Sequence, residues 1–394
     1  MHNVFWKHLS TLASKASSGS SFGFCLGTGV FVAFNGMPKD KNQRLPKPIL
    51  HSPDIFAFAE WVKTNKPEKV VVMAGAGLST SAGIPDFRTP GTGIYDNLQQ
   101  YKLQRAEDIF TLSFFRQNPK PFFALAKELM PGNFQPTISH HFLRLMEHKG
   151  MLCRLYTQNI DQLEIEAKIS PERVVQAHGT WQESTCVGCL RVVEEPLEES
   201  DSSSPSSSSS SSLAEQADDT LAEALDSLSL DSSKGGAQEK PATRTIHVHY
   251  QGCAKKYSQQ WTLEKIKDDQ VPRCESCPDG IVKPDIVFFG EGLPDRFHEL
   301  RRHDLQSADA LIVLGTSLQV YPFAALIDDV APDTPRLLIN REKVGQGVKR
   351  GFDFSGTLGH KFRRDAFYQG DIDEGTMLLA RLLGWEDELK DLHN

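Results

Sequence analysis

The chain has 394 residues, of which 39% are hydrophobic and 24% charged, and a net charge of −8. That length suffices for one large or two moderate domains around a sizeable core, and the composition is that of a soluble globular protein. The negative balance argues against direct nucleic-acid binding, and no apolar run approaches the roughly 18 residues of a membrane-spanning helix.

The charge is uneven. Glu194 to Asp231 holds eleven acidic residues and no Lys or Arg, so the rest is near neutral or slightly basic. Met1 to Met37 contains no acidic residue, but carries Lys7, Lys15, two histidines and many serines among apolar residues. That is the composition of a mitochondrial transit peptide, although arginine is absent. Residues 1–50 therefore read as an N-terminal extension with a mitochondrial matrix address. An ordinary disordered terminus on a cytoplasmic or nuclear protein is the alternative.

Ser52 to Asn65 reads as a helix, with Ser52 as N-cap and Pro53 at N1. Val70 to Met73 is a short apolar run of the kind found in a fully buried parallel strand. It feeds Gly75-Ala76-Gly77, small residues that let a backbone approach something closely. A strand entering a glycine-rich turn can present amides to a phosphate, but a plain strand–turn–helix corner has the same pattern. The dinucleotide fingerprint G-x-G-x-x-G would need glycine at position 80, where Thr80 stands. Pro85-Asp86-Phe87-Arg88 then brings a carboxylate, an aromatic ring and a guanidinium directly after the turn. Arg88 to Tyr101 reads as a long loop.

Ala106 to Met130 and Thr137 to His148 have helical periodicity, with a phenylalanine-rich face that predicts a helical subdomain packed on itself. Leu152 to Thr157 predicts a second strand, ending in Gln158-Asn159-Ile160-Asp161. Arg173 to Gln176 leads to His178 beside Gly179, where a core histidine and a functional one read alike. Ile286 to Phe289, Ala310 to Leu314 and Arg336 to Ile339 predict further strands. They end in Gly290-Glu291, in Gly315-Thr316-Ser317 and in Asn340-Arg341-Glu342. Several strands ending in polar clusters at one sheet edge make a binding site. Glu374 to Leu389 predicts a terminal helix.

The seven cysteines are Cys25, Cys153, Cys186, Cys189, Cys253, Cys274 and Cys277. An odd count with two C-x-x-C pairs points to metal ligation in a reducing compartment rather than to a disulfide framework. Cys186-x-x-Cys189 and Cys274-x-x-Cys277 read as two knuckles of a tetrahedral zinc site, with no open position for catalysis. Between them lies the acidic low-complexity stretch, about 192–245, whose composition predicts disorder. Cys253 precedes Cys274 by a normal pair spacing, so Cys186, Cys253, Cys274 and Cys277 are the alternative ligand set, with Cys189 spare.

Taken in order, these strings closely resemble the sirtuins, NAD-dependent protein deacylases, from about Ser52 to Leu389 apart from the insertion. The strings are Gly-Ala-Gly-Leu-Ser-Thr-Ser-Ala-Gly-Ile-Pro-Asp-Phe-Arg, Tyr-Thr-Gln-Asn-Ile-Asp, His-Gly-Thr, two cysteine pairs, Lys-Pro-Asp-Ile-Val-Phe-Phe-Gly-Glu, Gly-Thr-Ser-Leu and Leu-Leu-Ile-Asn-Arg-Glu. The resemblance implies an α/β fold: a Rossmann-like parallel sheet domain with a smaller zinc-binding and helical domain, and substrates in the cleft between them. On this division residues 51–95, 150–182 and 283–394 form the Rossmann-like part, 96–149 the helical module and 183–282 the zinc module. It implies NAD contacts from Ala76, Gly77, Leu78, Ser79, Thr80, Asp86, Phe87, Arg88, Gln158, Asn159, Ile160, Asp161, Thr316, Ser317, Asn340, Arg341, Glu342 and Ile372. It implies His178 as general base, with Asn159 and Asp161 positioning the ribose and nicotinamide. Val287, Phe288, Phe289, Gly290 and Glu291 would pair with the backbone of an acetylated protein. The implied activity is lysine deacetylation by a monomer with NAD and zinc, yielding nicotinamide and O-acetyl-ADP-ribose. Mono-ADP-ribosylation of proteins and removal of longer acyl chains are the alternatives.

Overall fold

The computed structural model describes residues 48–85, 103, 105–194, 246–251, 253–277, 279–347, 351–355 and 363–394. Residues 1–47 of the N-terminal extension, residues 195–245 of the acidic insertion and Asp86, Phe87 and Arg88 lie outside the described residues, while residues 192–194, expected in the insertion, belong to a strand. The described strands are β1 (Val70–Ala74), β2 (Leu152–Thr157), β3 (Val174–Gln176), β4 (Gly179–Cys186), β5 (Cys189–Glu194), β6 (Ile246–Gln251), β7 (Lys256–Ser258), β8 (Val282–Ile286), β9 (Ala310–Leu314), β10 (Arg336–Asn340) and β11 (Asp365–Gln369). The described α-helices are α1 (Ile55–Asn65), α2 (Leu112–Gln117), α3 (Lys120–Glu128), α4 (Ile138–His148), α5 (Leu163–Glu166), α6 (Gln259–Lys267), α7 (Asp295–Gln306), α8 (Leu326–Asp329), α9 (Ile372–Leu383) and α10 (Glu386–His393).

Six strands form one parallel sheet in the order β11-β10-β9-β1-β2-β3. The run Val70–Ala74 is apolar throughout because both faces of the sheet are covered. Val70, Val72 and Ala74 face a core built with α1, α4, α9 and α10, whereas Val71 and Met73 face one built with α7 and α8. The chain winds from β1 to β3 in one direction and from β9 to β11 in the other. The reversal falls between β1 and β9, where open α/β sheets bind ligands beyond the carboxyl ends of their strands.

A three-stranded antiparallel sheet, β7-β4-β8, carries the second domain. Its core joins Phe115, Phe122, Phe123 and Ile109 of the helical module to Trp181, Ile266, Ile281, Ile286 and Phe288. Phe115, Phe122 and Phe288 meet edge-on at centroid distances of 5.1 to 5.4 Å, the arrangement ring quadrupoles favour. The phenylalanine face thus packs on itself, as expected, and also on the zinc module and on the strand that leads to the expected substrate segment.

Several boundaries differ from the sequence expectation; the strand expected at Ile286 to Phe289 is Val282–Ile286, with residues 287–289 continuing beyond it. Helix α4 falls within the range assigned to the helical module, yet Phe142, Leu143, Leu145 and Met146 pack on the parallel sheet. The N-cap of α1 is Asp54, whose Oδ1 accepts from Ala57 N at 2.9 Å, while Ser52 Oγ donates to Asp54 Oδ2. The helix begins at Ile55, so Asp54, not Ser52, holds the position whose side chain reaches the first free amides. The terminal helix is two helices, divided at Gly384, whose φ of 80° is the left-handed cap that glycine adopts without strain.

Candidate active site

Beyond the carboxyl ends of β1, β2 and β9, backbone and side chains interlock. Gly75 N–H donates to Leu314 O at 3.0 Å and Gly77 N–H to Gly315 O at 2.8 Å. A Cβ on Gly77 would lie 2.6 Å from Gly315 Cα, and one on Gly75 would lie 2.7 Å from Thr316 Cβ. The close approach that these glycines permit is therefore, first, to the chain's own β9 turn. Two short 3₁₀ turns follow, Ala76–Leu78 and Thr80–Ala82.

Four polar side chains are fixed against this turn. Asn159 Nδ2 donates to Gly75 O at 3.1 Å and to Ser79 Oγ at 3.2 Å, which sets the orientation of its amide. Ser79 Oγ donates to Asp161 Oδ2 at 2.6 Å, and Leu163 N–H donates to Asp161 Oδ1 at 3.0 Å. Gln158 Nε2 donates to Thr316 Oγ1 at 2.7 Å. Burial raises the Asp161 carboxyl above its ordinary value, with the Ser79 and Leu163 hydrogen bonds opposing.

His178 follows β3 and leads into β4, where the chain passes from one domain to the other. Its Nδ1 lies 3.1 Å from Gln158 O. A carbonyl can only accept, so Nδ1 carries the hydrogen and Nε2 is the basic nitrogen. Burial holds the imidazole below its ordinary 6.5, opposed by the Gln158 hydrogen bond. Phe323 packs beside the ring at a centroid distance of 6.2 Å.

The next strand end lies one place along the sheet. Asn340 Nδ2 donates to Glu342 O at 2.8 Å, and Arg341 Nε pairs with Asp371 Oδ1 at 2.7 Å. Asp371 is the N-cap of α9, and Ile372 begins that helix. Arg341 and Ile372, about thirty positions apart, are thus neighbours. Ser317 stands exposed beside buried Thr316. Asp373 accepts from Ser81 Oγ at 2.5 Å and from Ser139 N–H at 3.1 Å, tying the second 3₁₀ turn to α4.

On the other side of the cleft, Val287 to Glu291 extends from β8. Val287 N–H donates to His178 O at 2.9 Å, Phe289 N–H to Phe110 O at 2.8 Å and Phe288 N–H to Glu291 Oε2 at 2.7 Å. Glu291 N–H donates to Phe288 O at 3.0 Å, so four donors of the edge are already used within the chain. Lys283, which motif reading passed over, is buried beneath this segment. Its Nζ donates to Ile286 O at 2.6 Å, lies 3.1 Å from Glu291 Oε2 and sits 4.4 Å from the Phe288 ring centroid. The signal was present in the pattern Lys283-x₇-Glu291, opposite charges flanking an apolar run.

In the zinc module Cys186, Cys253, Cys274 and Cys277 come together, their sulfurs all within 4.8 Å of one another. The side chain of Cys189 lies outside the described residues. Gly188 N–H donates to Cys186 Sγ and Ser276 N–H to Cys274 Sγ, both at 3.4 Å, and Tyr257 OH donates to Cys274 Sγ at 3.2 Å. Such donors favour thiolates. A Cβ on Gly280 would lie 2.8 Å from Cys186 Sγ and within 3.0 Å of the Cβ atoms of Cys274 and Cys277. This compact, four-sulfur cradle could hold zinc. Cys186 ends β4, and Cys253 follows β6. Between them β5 and β6 pair antiparallel from Cys189↔Gln251 to Glu194↔Ile246, so the insertion departs and returns at one point.

Comparison with known proteins agrees with this arrangement. A family model described as the Sir2 family matches residues 75–216 and 244–322, more than half of the chain. The Mus musculus protein named NAD-dependent protein deacetylase sirtuin-3 is 42% identical over 334 residues, covering 85% of this chain and 77% of that protein. The Danio rerio protein named NAD-dependent protein deacetylase sirtuin-2 is 39% identical over 349 residues, covering 87% and 76%. The Schizosaccharomyces pombe protein named NAD-dependent protein deacetylase hst2 is 37% identical over 346 residues, covering 88% and 81%. With its strand-end cluster, its four-cysteine cradle and this breadth of similarity, the chain belongs to the Sir2 family.

Proposed function

We propose that the protein removes acetyl groups from protein lysines in an NAD-dependent reaction that yields nicotinamide and O-acetyl-ADP-ribose. The observation that carries this reading is the hydrogen bond between His178 Nδ1 and Gln158 O, beside the Ser79–Asn159–Asp161 network. Bound NAD supplies an electrophilic ribose carbon and nicotinamide as the leaving group. His178 Nε2 takes a proton from a ribose hydroxyl, and its neutral form is available at pH 7 because burial disfavours the imidazolium. Ala76 to Thr80, Gln158 to Asp161, Thr316 and Ser317 surround the nicotinamide and phosphate end. Asn340, Arg341, Glu342 and Ile372 take the adenosine end. The acetylated segment lies along Val287 to Glu291 and uses the edge's carbonyls and Gly290, since the other four amides are engaged. Incubating the full chain with NAD and an acetyl-lysine peptide should release deacetylated peptide and O-acetyl-ADP-ribose, read by mass spectrometry. Transfer of ADP-ribose to the peptide instead would establish the ribosyltransferase alternative.

Lys283→Met should raise the peptide KM about tenfold, with the KM for NAD little changed, because the half-buried Glu291 carboxylate and the Ile286 carbonyl lose the buried ammonium that holds this segment, while the cofactor side is untouched. Equal rises in both constants would count against separate sites.

The zinc ligands in this reading are Cys186, Cys253, Cys274 and Cys277. Cys253→Ser should lose the metal and Cys189→Ser should keep it, measured by elemental analysis of the purified chain. Retention in Cys253→Ser with loss in Cys189→Ser would restore the local pairing. The ion would be structural, since four thiolates leave no open position.

The composition of residues 1–37 supports a mitochondrial matrix address, and no helix among the described residues is long and apolar enough to cross a membrane. Sequencing the mature protein's N-terminus from cells tests this. A start between about residues 20 and 50 supports import, and an intact Met1 opposes it.

A further inference from the structure

Behind Asp161 lies a second group of polar side chains that none of the steps above uses. His140 of α4 and Glu164 of α5 are both buried, and their ligand atoms lie within 4.8 Å of each other and of Asp161. Neither His140 Nε2 nor the two carboxylate oxygens of Glu164 has a hydrogen bond of good geometry, although the Thr157 hydroxyl bears on the Glu164 carboxyl, and one ligand atom of each group converges with Asp161. Buried polar atoms in that state are costly unless they satisfy one another.

The tautomer of His140 follows from its other nitrogen. Thr137 N–H donates to His140 Nδ1 at 3.1 Å, while Thr137 Oγ1 donates to Leu78 O at 3.2 Å. An Nδ1 that accepts leaves the hydrogen on Nε2, which is therefore a donor facing two carboxyl groups. The carboxyl groups themselves are unequal. Asp161 accepts from Ser79 Oγ and Leu163 N–H at hydrogen-bond distance, whereas the support that Glu164 draws from the Thr157 hydroxyl is outweighed by its full burial and by the charge of Asp161. Two carboxylates this close in a largely buried site disfavour each other's ionisation, and the proton stays on the one with less support.

We propose that Asp161 and Glu164 share one proton at neutral pH, carried on Glu164 and braced by His140 Nε2–H. Glu164 is thus the positioning residue for the carboxylate that faces the cofactor. The assignment of Asp161 to the cofactor is the reading given above, on which this role rests. The brace closes a ring from Leu78 of the glycine turn through Thr137, His140 and Glu164 to Asp161 and back to Ser79. Burial, with the charge of Asp161 added, pushes the Glu164 carboxyl up to about 8, and burial holds His140 down to about 3. The other charged groups that bear on the set are Glu166, which interacts with Asp161 and with Lys168, and His141 beside His140. A divalent cation fits less well, since only three ligands converge among the described residues.

Glu164→Gln and Glu164→Leu in the full chain test this. In the folded wild type the pair binds one proton that the unfolded chain releases above the ordinary Glu value of 4.5, so stability falls as pH rises from there toward about 8. Urea unfolding between pH 5.5 and 7.5 should show about one more proton taken up on folding by wild type than by Glu164→Gln. At pH 7 the Gln variant should keep the wild-type KM for NAD, because its amide still donates to Asp161. The Leu variant should raise that KM about tenfold with its circular dichroism unchanged. An equal proton count overturns the shared proton. A count differing by one, with an unchanged KM in Glu164→Leu, overturns the positioning role; if Asp161→Asn is equally silent, it is the assignment of Asp161 that fails. A second metal equivalent, lost in Glu164→Gln, overturns the proton in favour of a cation. Should Glu164→Leu not fold, a wild-type Kd for NAD that stays flat from pH 7 to 9, like that of Glu164→Gln, overturns the positioning role.

Discussion

Replacing His178 by tyrosine should lower deacetylation by about 10²- to 10⁴-fold, the range over which a positioned acid–base group contributes. The loss should fall on kcat. KM for NAD should move little, because the Ser79, Asn159 and Asp161 hydrogen bonds do not include the imidazole. His178→Ala should behave alike, which separates loss of the base from crowding against Phe323. The pH profile supplies an independent measurement. The base works when neutral, and burial holds its pKa below 6.5, so the acidic limb of wild-type kcat/KM should lie below pH 6.5. A limb above that value, or a tyrosine variant with wild-type turnover, would remove His178 from the chemistry.

The largest stability effect is expected at the opposite end of the same sheet. Arg336 begins β10 and is fully buried. Its Nε and Nη2 form a two-pronged pair with Asp365 at 2.7 Å each, and Nη1 and Nη2 donate to Ile327 O and Gly351 O. Asp365 Oδ2 also accepts from Asp353 N–H at 2.7 Å. The guanidinium thus joins β10, β11, α8 and the Gly351 loop in one place. Arg336→Met should destabilise the fold by about 3–5 kcal/mol, since it leaves Asp365 buried with an uncompensated charge. The urea midpoint reads this. Because Arg336 lies at the amino end of β10 and Asn340 at the carboxyl end, kcat/KM of the fraction that remains folded should stay near wild type. An Arg336→Met midpoint within 1 kcal/mol of wild type would mean that nearby Arg364, 4.0 Å from Asp365, takes over the pairing.

Most of the parallel sheet is legible in the sequence because its strands are short apolar runs closed by polar clusters. Val70–Ala74, Leu152–Thr157, Ala310–Leu314 and Arg336–Asn340 are adjacent in the sheet, so the four clusters share an edge. What the pattern does not encode is partnership across distance. Periodicity shows that Thr137–His148 has an apolar face, but not that the face belongs to the sheet rather than to the phenylalanines. The glycines of the turn point to a close approach, but not to Gly315 as the backbone approached. Lys283 and Glu164 are charged residues in motifs whose neighbours draw the attention, and only burial distinguishes them from solvated charges. Cys253 is a lone cysteine in sequence, and its place in the sulfur cluster depends on how the chain returns from the insertion.

That return has a consequence for what the molecule tolerates. Glu194 and Ile246 are paired, so the two ends of residues 195–245 are held a strand spacing apart, roughly 5 Å. Cys186 and Cys253 stand at the foot of the same ladder, one from each side of the excursion. Continuity of the peptide between 195 and 245 is therefore not what keeps the two halves of the zinc module in register; the ladder and the sulfurs do that. A cut in the chain there should leave the ladder, the sulfurs and the cleft in place. Lengthening the excursion would add only about 0.6 kcal/mol of closure entropy for each doubling. The segment is thus a place where new sequence can accumulate while the sheet edge, the base and the cradle remain as they are.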